Sequence, residues 1–266
     1  MQARGAGCSH AGANGGGIIG RMTSMPHPTG ADGRPETLRR ALLVLAAAGL
    51  ATGAARAQTK TSMNPSTLSS HVQALLAAAS AGDVAAIGRA LDAGAPIESR
   101  DARGRTPVLL ATHGGHVAAA QRLMARGANV NAQDDQRDSA FLLAGARGHT
   151  DIVRAALAHG ADWRITNRFG GTALIPACER GHVETVRVLL ATDMDVDHVN
   201  HLGWTGLLEA VILGTGGAAH QAIVRMLLAR GAQVNLADRE GVTPLRHAER
   251  MGQREVAALL RVAGGR

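Results

Sequence analysis

The side chains of this 266-residue chain that could do chemistry are its twelve histidines, two cysteines and a short acidic stretch. Their spacing decides which chemistry is open to them. Asp195, Asp197, His198 and His201 form an Asp-x-Asp-His-x-x-His run that could hold a divalent ion if the segment curled on itself. The competing reading is a solvated polar tip, because no Cys or further carboxylate stands at a fixed ligand spacing. No metal and no cofactor is therefore assigned. His116, His149, His182 and His220 recur at intervals of 33, 33 and 38 residues, so they are strung along the chain rather than converging on one ion. Cys178 follows Ala177 at a small-residue position, where Cys behaves as a small buried hydrophobe. No Ser sits in a nucleophile elbow, no Gly-rich loop with a Lys follows a strand, and Glu179 and Glu184 fall on helix-surface positions. No catalytic residue is assigned, and an enzyme is not expected.

The elements that carry these residues repeat. Gly104-Arg105-Thr106-Pro107, Arg137-Asp138-Ser139-Ala140, Gly170-Gly171-Thr172-Ala173 and Gly203-Trp204-Thr205-Gly206 follow one another at 33 residues, and Gly241-Val242-Thr243-Pro244 comes after 38. A second marker keeps the same rhythm: Gly94-Ala95, Gly127-Ala128, Gly160-Ala161, Asp193-Met194 and Gly231-Ala232. Both gain five residues at one place, around Gly214 to His220. Thr and Ser before a helix cap its free amides, and Pro107 and Pro244 fall in the first turn, where a missing N–H costs nothing. The midpoint glycines of Gly115-His116, Gly148-His149 and Gly181-His182 can close the first helix in a left-handed conformation. Second helices follow with apolar residues at helical spacing, Val117, Ala120, Leu123 and Met124 in one unit, Val183, Val186, Leu189 and Leu190 in another. The last stripe predicts that Leu190 is buried.

A 33-residue period with a Thr-Pro-Leu-like start, a Gly-His midpoint and a Gly-Ala-Asn-Val-Asn end resembles the ankyrin repeat, over about residues 68 to 264. The family's His after Thr-Pro-Leu is missing, with Leu109, Leu142, Ile175, Leu208 and Arg246 in its place. The resemblance implies an all-α solenoid of about six helix-turn-helix units with β-hairpin-like fingers: 72–104, 105–137, 138–170, 171–203, 204–241 and 242–266. The last unit reads as a cap, since Arg261 stands where Leu190 and Leu228 stand in its sisters.

The resemblance also implies a non-catalytic scaffold whose partner protein docks on the fingers and first helices. Chemical anomaly then selects residues. Phe169 and Trp204 lie in fingertips, and with Arg168 and Arg137 they make a candidate hot spot; the alternative is that both rings cover neighbouring fingers. Trp163 stands where sisters have Val130 or Val234 and is expected to pack. Leu110, Leu143, Pro176, Glu209 and His247 are expected to face the same groove, so Glu209 and His247 join the candidate set. Pro176 inside a helix removes a backbone bond and is expected to bend the chain. The 215–219 insertion is a candidate extension of the binding face, with a neutral surface loop as the equal alternative. Exported bacterial ankyrin proteins similar to this one are in some cases linked with catalase and peroxide protection, which makes an oxidative-stress enzyme one candidate partner; a secreted effector acting on host proteins is the alternative.

Export rests on the leader. Arg39-Arg40, the apolar run Ala41 to Leu50 and Ala55-Arg56-Ala57 have the order of a signal peptide with cleavage after Ala57, too short for a membrane anchor. Leu38 stands where a twin-arginine signal has Ser or Thr, so the general secretory route is expected, with the mature protein periplasmic or secreted. A start at Met22 would leave residues 1–21 untranslated, and one at Met25 residues 1–24. Residues 1–57 then form the leader, 58–71 a linker and 72–266 the repeat domain. Removing the leader also removes Cys8, leaving Cys178 without a disulfide partner. From residue 58 onward there are 22 basic and 19 acidic residues. Charge so evenly mixed, with four aromatics in the whole chain, argues against a nucleic-acid surface. A monomer is expected.

Overall fold

A computed structural model describes residues 65–266, and the expected leader and cleavage site lie outside the described residues. Within them the chain builds six antiparallel helix pairs: α1 and α2 (Pro65–Ala81, Val84–Asp92), α3 and α4 (Pro107–His113, Val117–Ala125), α5 and α6 (Ala140–Arg147, Thr150–Ala158), α7 and α8 (Leu174–Glu179, Val183–Leu190), α9 and α10 (Gly206–Ile212, Ala218–Ala229), and α11 and α12 (Pro244–Arg250, Arg254–Val262). Odd helices pack on odd and even on even from one pair to the next, giving two helical layers. No described residue is in a strand, so the fingers between pairs are turns.

Four of the six first helices, α3, α5, α9 and α11, are started by a hydroxyl. Thr106, Ser139, Thr205 and Thr243 accept from the backbone N–H three residues on, at Leu109, Leu142, Leu208 and Arg246, a contact whose loss typically costs about 1 kcal/mol. The turn into the second helix needs a left-handed residue, and Gly115, Gly148 and Gly181 supply it with φ of 71°, 71° and 73°.

Four of the second helices, α4, α8, α10 and α12, are then tied to the preceding pair. His116 Nε2 meets Ser80 O at 3.1 Å, His182 meets the Ala146 carbonyl, and His220 Nε2 meets Glu179 O at 2.9 Å. In the last pair Gln253 takes this place, donating from Nε2 to Val211 O at 2.8 Å and Gly214 O at 3.1 Å. These histidines are mortar between repeats.

The interface between layers is built from small and aliphatic residues. Ala111, Ala144, Ala177, Ala210 and Ala248 have no exposed surface, and Leu123, Ile152, Leu189, Leu227 and Leu260 fill the second-helix side. Close helix stacking needs such residues, and this accounts for a core with so few aromatics.

Three sequence expectations change. Residues 65–71, expected as linker, belong to α1: Leu68, Val72, Leu75 and Ala79 make a helical stripe whose last two members are fully buried. The first helix carries no Gly-x-Thr marker, so the repeat search could not see its start. Leu190 is only partly buried, packed at the edge of the core, and Leu189 is the fully buried member of the stripe.

Pro176 shortens α7 rather than bending it. Its sisters Leu110, Leu143, Glu209 and His247 donate to the cap residue's carbonyl; Pro176 has no N–H, the helix begins one residue late at Leu174, and the Thr172 hydroxyl is left buried without a partner. The 215–219 insertion lengthens α10 to twelve residues and lies past the C-terminal end of α9, at the end of that helix away from the finger. It is pinned by contacts from Thr215 to His220 Nδ1 and from Gln221 Nε2 to Gly216 O.

Candidate partner-binding groove

Every fingertip is organised by one side chain. Asp101, Asp134, Asn167, Asn200 and Asp238 each accept, through one side-chain oxygen, from the backbone N–H groups two and four residues on. The turn is closed by a backbone bond, as from Asn200 N to Trp204 O at 3.0 Å. The residue after the tip needs positive φ, and Arg137 adopts it (59°) where its four sisters are glycine. Fingers are also tied to each other: Gln133 Nε2 donates to Thr166 O, and the N–H of His201 donates to Phe169 O at 2.8 Å.

This scaffold exposes one column per fingertip, occupied by Arg103, Gln136, Phe169, Leu202 and Glu240. In the middle of the array the column turns apolar: Phe169 is 51 % and Leu202 52 % exposed. Opposite them stands Leu213, 48 % exposed, where the two preceding units have arginines that tie repeats together, Arg147 to His113 O and Arg180 to Ala146 O. These three enclose a cavity of about 190 Å³ whose other walls include Ile175, Pro176, Asn200, Glu179 and Glu209. Finger and first-helix residues thus meet around one hollow.

Glu209 is the unusual member. It is 6 % exposed, its Oε1 accepts from Asn200 Nδ2 at 2.8 Å, and no cation lies within ion-pairing distance of it among the described residues. Burial, with the Glu179 charge added, pushes its carboxyl up to about 7, against the smaller opposing effects of the Asn200 hydrogen bond and Arg180. Glu179 sits half-buried beside it, 4.0 Å from the guanidinium of Arg180.

The candidates singled out in the sequence distribute unevenly around this hollow. Phe169 and Glu209 line it. Arg168 lies over the Phe169 ring, 4.5 Å from its centroid, and 3.9 Å from Asp138. Trp204 is half-buried and outside the lining, and Arg137 is exposed on the neighbouring fingertip. His247 belongs to the last pair, where its Nε2 meets Asp238 Oδ2 at 2.6 Å. Trp163 packs on the core with Arg164 over its ring. Leu202 and Leu213 were missed, although comparing Leu202 with Arg103, Gln136 and Glu240 would have shown it as an apolar break in a polar column.

The earlier repeats carry a different hollow. There a cavity of about 390 Å³ is lined by Arg103, Arg105, His113, Asp134, Asp138 and Arg147 among others, and it is mixed in charge.

The chemical candidates are otherwise engaged. His198 Nε2 contacts Gly170 O at 2.7 Å, and the Asp197 carboxylate accepts from the Gln233 N–H. Cys178 has no exposed surface; burial, with Glu209 beyond it, pushes its thiol far up and keeps it protonated. No described helix is long and apolar enough to cross a membrane.

Stacked helix pairs joined by Asx-pinned fingers, with an open groove between fingers and first helices, define a repeat solenoid of the protein-binding kind. The chain belongs to the ankyrin-repeat family: the family model for ankyrin repeats (3 copies) matches residues 75–166 and 141–238. Among solved structures it is similar to an ankyrin repeat domain from Acinetobacter baumannii AYE, 52 % identical with a TM-score of 0.70 over 72 % of this chain and 98 % of that one. It is also similar to the ankyrin repeat domain of Bcl-3, a member of the IkappaB protein family, 27 % identical with a TM-score of 0.65 over 73 % of this chain and 86 % of that one. A curated relative, the putative ankyrin repeat protein YahD of Escherichia coli K12, is 48 % identical over 56 residues, 21 % of this chain. The match spans 28 % of that relative's length. Membership indicates a protein-protein interaction scaffold, and the fold is typically non-catalytic.

Proposed function

We propose that this protein is an exported, non-catalytic scaffold that captures a partner protein in the groove between its fingers and first helices, centred on Phe169, Leu202 and Leu213. The observation that carries this reading is the clustering of three large exposed apolar side chains around one hollow, at positions where most sister repeats are polar. Exposed apolar surface of this kind marks an interaction site. Export is supported by the order of the leader around residues 39–57. A peroxide-handling enzyme such as catalase is the first partner to test. Immobilised mature protein and a Phe169→Ala, Leu202→Ala double variant would be exposed to periplasmic extract and to purified catalase. The wild type is expected to retain a partner that the variant loses; equal retention by both would place binding elsewhere.

A further inference from the structure

Resting on that reading, we infer that the cavity between Phe169, Leu202 and Leu213 is a socket for one arginine or lysine side chain of the partner, its aliphatic stem against the three apolar residues and its cation on Glu209. The mouth is apolar and the base is acidic, which is the division a long cationic side chain presents along its own length. Phe169, Leu202 and Leu213 are each about half exposed at the mouth, whereas Glu209 is nearly fully buried behind them. A carboxylate in that position, hydrogen-bonded by Asn200 and with no cation in ion-pairing reach among the described residues, is destabilised as an anion until a cation reaches it.

The sister positions sharpen the contrast. Leu110, Leu143 and Pro176 stand where Glu209 stands, so the fold does not require an acid there, and His247 is already engaged by Asp238. Leu213 also belongs to this design, because it replaces the arginine that Arg147 and Arg180 supply in earlier units and so keeps the molecule's own cation out of the hollow. A neutral apolar anchor would leave Glu209 buried and unpaired, and an acidic one would be repelled.

Binding is also proton-linked. The charged and titratable groups around Glu209 are Glu179, Arg180 and the buried Cys178 thiol. The carboxyl's raised value means that a cation competes with a proton for it near neutrality. Affinity is thus expected to fall by roughly tenfold from about pH 8 to about pH 6.

The test uses defined probes on the whole protein. The peptide acetyl-Leu-Arg-Leu-amide and its citrulline counterpart, which keeps the shape and removes the charge, would be titrated by two-dimensional NMR into the wild type and the Glu209→Gln variant. The arginine peptide is expected to shift the amides of Ile175, Asn200, Leu202 and Leu213 saturably, about tenfold more tightly than citrulline. Glu209→Gln is expected to erase that difference while leaving the spectrum folded. Equal binding of the two peptides, shifts centred on another surface, or an arginine preference that survives Glu209→Gln would overturn the socket. Loss of the partner by the Phe169→Ala, Leu202→Ala variant would still stand in those cases, so the two readings fail separately.

Discussion

At the residue scale, Glu209 is held at a cost that can be measured. Its folded carboxyl is raised from 4.5 to about 7, so between those values the unfolded chain has released its proton and the native one has kept it. Stability therefore falls as pH rises through that window and levels off above about 7. Glu209→Gln keeps an acceptor for Asn200 and removes the ionisation. Its stability relative to wild type is expected to rise across the window by about 3 kcal/mol at most, read by denaturant unfolding at several pH values. A constant difference would contradict the shifted carboxyl. Arg137 is a second strained residue: a non-glycine at φ 59° where the sister fingertips have glycine. Arg137→Gly is expected to stabilise by about 1 kcal/mol, and an equal or lower midpoint would show that this fingertip is unstrained.

At the element scale, what was legible in the sequence followed from local rules. Thr106, Ser139, Thr205 and Thr243 announce helix starts because a hydroxyl there has one geometric use, and the Gly-His steps announce the turn because the backbone needs positive φ. Pro176 was legible as an anomaly, yet its consequence was not, since whether a proline bends or shortens a helix depends on whether the missing bond falls in the first turn. The start of α1 was hidden because its only signal is a stripe of burial. Leu202 was hidden for a different reason: a leucine in an apolar chain is unremarkable until its column of sisters is known to point outward.

The interrepeat contacts were likewise out of reach, because the partners of His116, His182, His220 and Gln253 are backbone carbonyls more than thirty residues away. Gln253 carries this contact for the last pair from a buried position. Gln253→Ala would leave the Val211 and Gly214 carbonyls without this donor and is expected to cost about 1–3 kcal/mol, seen as a lower midpoint and faster amide exchange in α12. Unchanged exchange there would show that α11 and α12 are held by packing alone.

At the scale of the whole molecule, stability accumulates from neighbour interfaces of one kind, so a defect in the middle of the array acts on both sides. Leu189 lies in α8 with no exposed surface, and α8 packs on both α6 and α10. Leu189→Ala is expected to cost about 2–5 kcal/mol, and Leu190→Ala less, because Leu190 is only partly buried; equal losses in thermal unfolding would reverse the assignment of the buried face. The period gave the architecture away, since every repeat reuses the same caps and turns. The groove's chemistry was only half visible, because it depends on three units contributing one apolar side chain each to the same hollow.

The measurement that bears most directly on the groove as the binding surface is site-specific photo-crosslinking in cells producing the protein, with benzoylphenylalanine placed at Leu202, at Leu213 or at Arg225, an exposed position on α10. The expected result is one common crosslinked protein from Leu202 and Leu213 and none from Arg225. A partner crosslinked through Arg225 while Leu202 and Leu213 stay silent would contradict the account.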